Sequence, residues 1–524
     1  MRFTAIATAA SGVGVALSSS ILLSGGTIIA FDEEARALDV IRGGSLLVTD
    51  DRIAALYETG KPKDLPADTE IVDCTHKIIS PGFVDSHRHG WQTAMRTMAS
   101  NTTLPDYLMR YVGPAAAAIY TAEDVYIGQL VGLLEALNAG VTTTLDHAHH
   151  TWTKGHSQAG LDASIDSGAR VYWNHNFAGM GDYGIPDQIA DFREWVTTRA
   201  TADSLTTIAA AYDSWTVAPP EDTRAVVDVI KELKIPVLTT HWMGGVWGLD
   251  NSPALLHSLD ILNTSTAVVF SHAVALDPIA ADLLTATNQF ISITPESEMH
   301  YGHSHFNSHM VQDQAALGID THFTFSTDML TQARMWLQRV RSRLFDEVIT
   351  RWKVPSNNPM SANQAFLMAT RQGALSLRRP DLGVIKVGAK ADLVVFDGRT
   401  PGMLGWADPV AAVMLHANVG DIVHVIVDGQ FKKRGGKLTF EKYDDVVDRF
   451  LASAEKLQRL VGEKPAPVLE GKWFGRDAEY GHADEVDVIR GPGTGYGGLF
   501  LDTSDKSRHG PEYASVRGDG KDEL

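Results

Sequence analysis

Short apolar β-runs open the sequence and return near its end. From residue 21 to about residue 80 they are separated by turns, as in "ILLSGGTIIAF" and "GSLLVTDDRIAALY". The same texture recurs in "GVIKVGAKADLVVFDG" and "DIVHVIVDGQFKKRGGKL". Runs of this kind predict strands joined by turns. We therefore expect both flanks of the chain to be rich in β-structure.

Between these flanks, β-runs alternate with segments of helical length. "AEDVYIGQLVGLLEALNAG" is followed by "VTTTLDHAHH", and "TRAVVDVIKELK" is followed by "IPVLTTHW". This repetition predicts a parallel sheet with crossover helices. An open doubly wound sheet is one solution, but no Gly-rich phosphate-binding turn opens any of these helices. The alternative is a TIM (β/α)8 barrel, in which the carboxyl ends of all strands meet on one face.

The polar residues favour the barrel, because several stand at the last positions of separate β-runs. They are His87, His147, His241, His272 and Asp328. The predicted organisation is a signal-like extension (1–20), a first β-sandwich part (21–80), the barrel (81–377), a second β-sandwich part (378–440), and a helix with a Gly-rich polar tail (441–524).

Charge and cysteine content narrow the function classes. The net charge of -19 disfavours nucleic acid or an anionic membrane as partner, since both require a basic face. Hydrophobic residues make up 44% of the 524 residues, as in soluble globular proteins. Cys74 is the single cysteine, which excludes an intrachain disulfide and a cysteine-based zinc site.

Histidines at strand ends indicate a metal site. His87 and His89 are two residues apart, so in a strand they point to the same face with Cα atoms about 7 Å apart. Two imidazoles on one face can bind one ion at about 2.0–2.1 Å. His241 and His272 add two further imidazoles, and Asp328 adds a carboxylate. Three neutral imidazoles and a carboxylate around one ion leave a position for water, as a catalytic divalent site requires.

The motifs "PGFVDSHRHGWQT", "TTH", "SHA", "STD" and "GVIKVGAKADLVVFDG" occur in this order. Together they resemble the amidohydrolase superfamily, in the branch of cytosine deaminase, S-adenosylhomocysteine deaminase and atrazine chlorohydrolase. The resemblance implies a barrel with a small β-sandwich built from both flanks. It further implies that His87, His89, His241 and Asp328 bind the metal and that His272 holds the bound water.

The same resemblance bears on the number of ions. A two-metal form of the family carries a carboxylated lysine at the end of the fourth strand, and "TTIAAAYDSWTV" contains no lysine. One divalent metal is therefore expected, with zinc favoured and Fe(II) as the alternative. In the implied mechanism Asp328 takes a proton from the bound water and passes it to the leaving group.

The sequence departs from that branch after the fifth strand, where Gly244 replaces a glutamate that protonates the substrate ring. Glu298 and His303 are the candidate replacements. His147 and His149 are either substrate contacts or rival metal ligands. Other predicted substrate contacts are Trp91, Gln92, Trp242 and Glu296.

We therefore expect a hydrolase of non-peptide carbon–nitrogen bonds in cyclic or heteroaromatic small molecules, similar to a deaminase. Hydrolysis of an amide or a carbon–halogen bond is the alternative within enzymes. A noncatalytic ligand-binding relative is the alternative outside them. Possible partners are the small-molecule substrate and a second copy of the chain in a homodimer.

Both termini carry address-like segments. "MRFTAIATAASGVGVALSSS" resembles a secretory signal, and "KDEL" ends the chain as an endoplasmic reticulum retrieval signal. These features predict residence in the endoplasmic reticulum lumen or secretory pathway, with the cytoplasm as the alternative. The uncharged stretch from residue 3 to 31 has the length of a membrane span, but its Ser, Thr and Gly content argues against one.

Overall fold

The computed structural model describes residues 20–59, 62–199, 204–303 and 305–483. Two compact units are present. Among the described residues, the larger unit takes in those between 20 and 338 and those from 360 to 465, and the smaller takes in 339–359 and 466–483. Both β-sheets lie in the larger unit. The signal-like segment before Ser20 and the "KDEL" tail lie outside the described residues.

The strands, in chain order, are β1 (Ser20–Asp32), β2 (Ala37–Thr49), β3 (Arg52–Tyr57), β4 (Glu70–Asp73), β5 (Lys77–Pro81), β6 (Phe83–Arg88), β7 (Val141–Ala148), β8 (Arg170–Asn176), β9 (Thr206–Ala211), β10 (Val237–Trp242), β11 (Ala267–His272), β12 (Phe290–Ile293), β13 (Ala315–Leu317), β14 (Leu393–Asp397), β15 (Ile422–Val427), β16 (Gln430–Arg434) and β17 (Lys437–Leu438).

The α-helices are α1 (Leu104–Arg110), α2 (Gly113–Ala117), α3 (Ala122–Asn138), α4 (Lys154–Asp166), α5 (Ile185–Thr198), α6 (Pro220–Glu232), α7 (Pro253–Ser258), α8 (Pro278–Thr287), α9 (Pro295–His300), α10 (Met329–Ile349), α11 (Ala362–Ala369), α12 (Arg371–Ser376), α13 (Pro409–Ala411) and α14 (Tyr443–Gly462).

Strands β6 to β13 form an eight-stranded parallel sheet in sequence order. The sheet closes on itself between β13 and β6, because the backbone N–H groups of Ile319 and Asp320 donate to the carbonyl of His87 at 2.9 and 2.8 Å. This closure confirms the predicted TIM barrel and excludes the open sheet.

Local sequence accounts for the alternation of strands and helices. Strands β7 and β8 are buried along their whole length, as expected for strands covered by helices on one face and by the barrel interior on the other. Helix α3 begins with a capping box in which the Thr121 side chain accepts from the Asp124 N–H and Asp124 accepts from the Thr121 N–H. Helix α8 ends at Asn288, which adopts a left-handed conformation.

The remaining strands form a nine-stranded sheet drawn from both flanks of the barrel. The junction is the antiparallel pairing of β5 with β14, which joins Lys77 to Asp397 and Pro81 to Leu393. The predicted small β-domain made from both flanks is thereby confirmed.

The uncharged stretch near the start of the chain is strand β1 from Ser20 onward, paired with β2 and β5. Within the described residues, no helix is both long and apolar enough to cross a membrane.

Helix α14 packs beside the segment that follows β6. Leu457 and Val461 are fully buried in a cluster that also contains Trp91 and Tyr111. The Gln458 side chain donates to the carbonyl of Ala94 at 3.0 Å. The last helix of the larger unit therefore supports the residues next to the candidate metal site.

Candidate metal centre and active site

The end of β6 presents two imidazoles on one face, as the sequence predicts. His87 and His89 are both buried, with ring centroids 4.8 Å apart. Arg88 points the other way and donates to the Asp85 carboxylate at 3.2 Å and to the carbonyl of Gly132 at 3.1 Å. Asp85 is therefore the partner of the buried arginine.

The eighth barrel strand requires a correction. The sequence predicted its end in "FTFSTD", at Asp328. The strand is instead β13, Ala315–Leu317, and the carboxylate that follows it is Asp320. Asp320 Oδ1 lies 3.4 Å from His87 Nε2 and 3.1 Å from His89 Nε2.

Asp328 instead occupies the start of α10. Its carboxylate accepts from the Thr331 N–H at 2.7 Å and from the Thr331 hydroxyl at 2.8 Å. This is the bonding of a helix N-cap, because residue 331 is the third residue of α10.

Two of the converging histidines have a tautomer fixed by neighbours that can only accept. Nδ1 of His89 donates to the carbonyl of His147 at 2.8 Å, and Nδ1 of His241 donates to Asp213 Oδ2 at 2.8 Å. A neutral imidazole carries one proton, so Nε2 of each ring is left with a lone pair. The two Nε2 atoms lie 3.3 Å apart.

Two lone pairs at that distance repel each other unless a cation lies between them. His87 Nε2 is also buried, and no hydrogen-bond partner for it is found among the described residues. Nitrogen and carboxylate donors within a few ångströms suit a divalent ion such as Zn²⁺. Ligand atoms of His87, His89 and Asp320 lie within 4.8 Å of one another, as do those of His87, His241 and His272. The donor set fits one divalent cation, as predicted.

His272, at the end of β11, is oriented by two side chains that lie outside the histidine cluster. Its Nδ1 lies 3.2 Å from Glu298 Oε1 and 3.1 Å from the Thr294 hydroxyl. The backbone of His272 has a φ of 72°, which is rare for a residue other than glycine. Strain of this kind persists where the surrounding structure enforces it, commonly at functional sites.

Asp213, which was not predicted from the sequence, contacts two histidines of the cluster. It follows β9 and accepts from the backbone N–H of His241 at 2.7 Å as well as from its ring. His147 Nε2 lies 3.2 Å from the same carboxylate. Burial alone would raise the pKa of Asp213, but the imidazoles of His241 and His147 lower it well below its usual range. The sequence signal for this residue is its position in "AAAYDSWTV", directly after the fourth barrel strand.

Glu298 is fully engaged by the protein. Beyond His272, its Oε1 accepts from the Thr294 N–H at 2.9 Å and its Oε2 contacts His305 Nε2. Burial opposes the charge, but the two imidazoles lower the pKa of Glu298 far below its usual range. His305, another residue not singled out in the sequence, is held in turn by the Ser308 hydroxyl at 2.6 Å.

His303 lies beside this network with both ring nitrogens available. Its ring centroid is 5.2 Å from that of His272 and 5.2 Å from that of Trp247. Both nitrogens are buried, and neither forms a hydrogen bond within the described part of the chain. A buried imidazole with two unused polar atoms next to the cluster is suited to contact a ligand.

The other predicted substrate contacts differ in their surroundings. Trp91 is buried and its indole N–H donates to His149 Nδ1 at 3.1 Å. Gln92 is also buried, but its amide bonds to the carbonyl of Tyr111 and to the Tyr107 hydroxyl. Gln92 therefore holds α1 and the turn after it.

Trp242 and Glu296 are likewise occupied. Trp242 follows His241 and faces the opposite side of β10, where its indole N–H donates to Asp250 at 3.2 Å. Glu296 Oε2 accepts from the Gln332 amide at 3.0 Å and from the Ser326 hydroxyl at 2.5 Å.

The glycine at position 244 is built into the packing. A Cβ added to Gly244 would lie 2.6 Å from the Cβ of Ala275, which is too close for two carbon atoms. The absence of a side chain there is therefore a property of this fold, and any proton donor must come from another position.

A closed parallel barrel with histidines and an aspartate at its carboxyl face is typical of a metal-dependent hydrolase. The chain belongs to the amidohydrolase family, whose model matches residues 78–432. This family and the deaminases among the sequence relatives identify a hydrolase of carbon–nitrogen bonds other than peptide bonds.

Known proteins of similar sequence and structure agree with this class. The chain is 26% identical over 424 residues to the 5-methylthioadenosine/S-adenosylhomocysteine deaminase of Pelotomaculum thermopropionicum, covering 79% of this chain and 93% of that enzyme. It is similar in fold to a zinc-bound adenosine deaminase from Xanthomonas campestris, with a TM-score of 0.72, 17% identity, and coverage of 84% and 99%. A zinc complex of atrazine chlorohydrolase from Arthrobacter aurescens gives a TM-score of 0.70, 19% identity, and coverage of 83% and 100%.

Proposed function

We propose that this enzyme hydrolyses the exocyclic amino group of a heteroaromatic small molecule and releases ammonia. The observation that carries the proposal is the pair of imidazoles, His89 and His241, whose Nε2 atoms face each other beside Asp320. The sequence relatives are named as deaminases, which supports an amino group as the group that is released. Their names contain adenosine, a purine nucleoside, so aminopurines are the first compounds to test.

The proposed ligands are His87, His89, His241 and Asp320, with His272 beside them. Zinc is favoured, because zinc is the ion in the two solved structures of similar fold named above, and Fe(II) is the alternative. A divalent ion in such a site lowers the pKa of a bound water from 15.7 to about 7, which provides hydroxide near neutral pH.

The chain's own groups move the protons. His272 Nε2 accepts a hydrogen bond from the attacking water, because its Nδ1 proton is directed to Glu298. The Asp320 carboxylate takes the proton that the water loses as the C–O bond forms. It then returns that proton to the amino nitrogen as the C–N bond breaks, so that water and the amine become a carbonyl compound and ammonia.

A second proton must reach the ring nitrogen next to the reacting carbon. We assign its delivery to His303, whose two ring nitrogens are buried and are bonded to no other described residue. Burial lowers the pKa of His303 to about 3, so its neutral imidazole donates from one nitrogen while the other takes up a proton, and the hydroxyl proton lost as the carbonyl forms balances this transfer. We assign Glu298 a positioning role, because both of its oxygens are occupied by His272, Thr294 and His305.

The test is ammonia release by the zinc-loaded protein from a panel of aminopurines, aminopyrimidines and amino-triazines. We expect release from at least one compound and its loss in His303→Asn with the metal still bound. Chloride release from a chloro-triazine, or cleavage of an exocyclic amide without ammonia from any amino-heterocycle, would replace deamination with one of the alternative hydrolyses. Ligand binding without turnover of any compound would favour the noncatalytic relative.

We also propose that the protein resides in the secretory pathway and that it forms a homodimer. The signal-like start and "KDEL" support the first. The triplets "NTT" at Asn101 and "NTS" at Asn263 match the acceptor motif for N-linked glycans, and both asparagines are exposed. Endoglycosidase-sensitive mobility of the cellular protein is the expected result. A single unglycosylated cytosolic pool would favour the cytoplasmic alternative. Sedimentation of the purified protein tests the dimer.

A further inference from the structure

The pair Trp91 and His149 lies at the edge of the metal cluster, on the His89 side. The ring centroids of His149 and His89 are 4.0 Å apart, with an interplanar angle of 35°. His149 is partly exposed, whereas Trp91 is fully buried. His149 is therefore in a position to meet a molecule bound at the cluster.

The bond between these two side chains fixes where the proton of His149 resides. An indole N–H can only donate, so Nδ1 of His149 must accept at 3.1 Å. A neutral imidazole has one proton, and it is therefore on Nε2. Across the part of the chain that the structure describes, Nε2 of His149 forms no hydrogen bond. Its N–H is available to a ligand.

The arrangement is rigid on both sides. The Trp91 ring makes edge contacts with Tyr120 at 4.8 Å and Trp152 at 5.0 Å between centroids. Its backbone carbonyl also lies against Gly128, where an added Cβ would be 2.3 Å from the oxygen. The indole therefore cannot turn away, and the imidazole it orients is packed against a metal ligand.

We propose that Trp91 fixes His149 as a hydrogen-bond donor, and that this donor selects substrates with an unprotonated ring nitrogen or a carbonyl oxygen at that edge. The inference rests on the proposed function for the class of substrate. Because His149 keeps its proton, it recognises the substrate and takes no part in proton transfer. A ligand with C–H or N–H at the same position would meet the donor without an acceptor and bind less tightly.

Two substitutions distinguish the contribution of the His149 N–H donor from that of its aromatic ring. His149→Phe keeps a flat ring against His89 but removes the N–H, and Trp91→Phe keeps an aromatic ring but removes the proton that fixes the tautomer. The probes are adenosine and its 1-deaza, 3-deaza and 7-deaza analogues, each lacking one ring nitrogen. Binding to the zinc-loaded protein is measured by calorimetry, so the result does not depend on turnover.

We expect the wild-type protein to bind one deaza analogue about 5- to 100-fold less tightly than adenosine, and His149→Phe to lose that preference. In ¹⁵N-histidine-labelled protein, with His149 assigned by its absence in His149→Phe, the ring should show a protonated Nε2. Trp91→Phe should change that pattern.

Unchanged ¹⁵N shifts in Trp91→Phe, equal discrimination by His149→Phe, or no binding of any probe would overturn the inference. Ammonia release from the same compounds reports on the proposed function separately. If His149 discriminates among the probes but no ammonia is released, the inference about His149 is retained and the proposed deamination is wrong.

Discussion

The Asp213 carboxylate holds the backbone N–H and the ring Nδ1 of His241, at 2.7 and 2.8 Å. It thereby directs Nε2 of that histidine to the centre of the cluster. A carboxylate behind a metal-bound imidazole fixes the ring and increases its basicity, and loss of such a partner costs about 10- to 100-fold in affinity or activity.

Asp213→Asn should therefore weaken zinc binding by about 10- to 100-fold, because the amide cannot supply two acceptor oxygens. Competition with a chromophoric chelator measures the change. Asp250→Asn is the matched control, since Asp250 bonds to the neighbouring Trp242 and should leave zinc affinity unchanged. An unaltered affinity in Asp213→Asn would show that His241 is oriented by its packing alone.

Asp320→Asn and Asp328→Asn distinguish the two candidate aspartates. We expect the first to abolish turnover and weaken metal binding, because it removes the proposed ligand and proton carrier. The second should retain activity, since asparagine is also a good helix N-cap. Steady-state kinetics and metal analysis of both variants decide. Activity in Asp320→Asn with loss in Asp328→Asn would restore the assignment first made from the sequence.

Glu298→Gln should lower kcat strongly while the protein keeps its metal. The amide presents N–H groups to one of its imidazole partners and so disturbs His272 or His305. Glu296→Gln is the control, because Glu296 bonds to Gln332 and Ser326 and should retain kcat within a few-fold. Equal losses in the two variants would indicate general damage to α9.

Gly244→Ala should destabilise the protein by about 1–3 kcal/mol, because the added methyl group overpacks against Ala275. Thermal unfolding measures the effect. Adding Ala275→Gly should restore most of the stability by removing the clashing carbon. For the same reason Gly244→Glu is not expected to raise ammonia release. Full stability in Gly244→Ala would show that the backbone there can shift.

The sequence predicted the barrel correctly, and it placed at strand ends four histidines that the structure brings close together, because those features are local. Each histidine follows a β-run that is long enough to recognise, as "VLTTH" and "AVVFSH" illustrate. Turns and apolar runs also predicted strands in both flanks, and the resemblance to the amidohydrolase superfamily implied that these strands form one β-domain.

The eighth strand was misplaced because β13 has three residues, and the longer apolar run "HFTFS" that follows resembles a strand more closely. Asp213 and His305 were missed for another reason. They act through His241 and Glu298, and such pairings depend on distances between elements that no spacing along the chain encodes.

The junction of β5 with β14 and the docking of α14 have a consequence for biosynthesis. The β-domain lacks its partner strands until residues 393–438 have left the ribosome, and the segment around Trp91 lacks its support until residue 462 has followed. A nascent chain truncated before residue 462 contains every proposed metal ligand but lacks part or all of α14, which packs against the segment around Trp91. Activity should therefore appear only after residue 462 has left the ribosome, and ribosome-stalled chains ending before residue 440 should remain sensitive to protease.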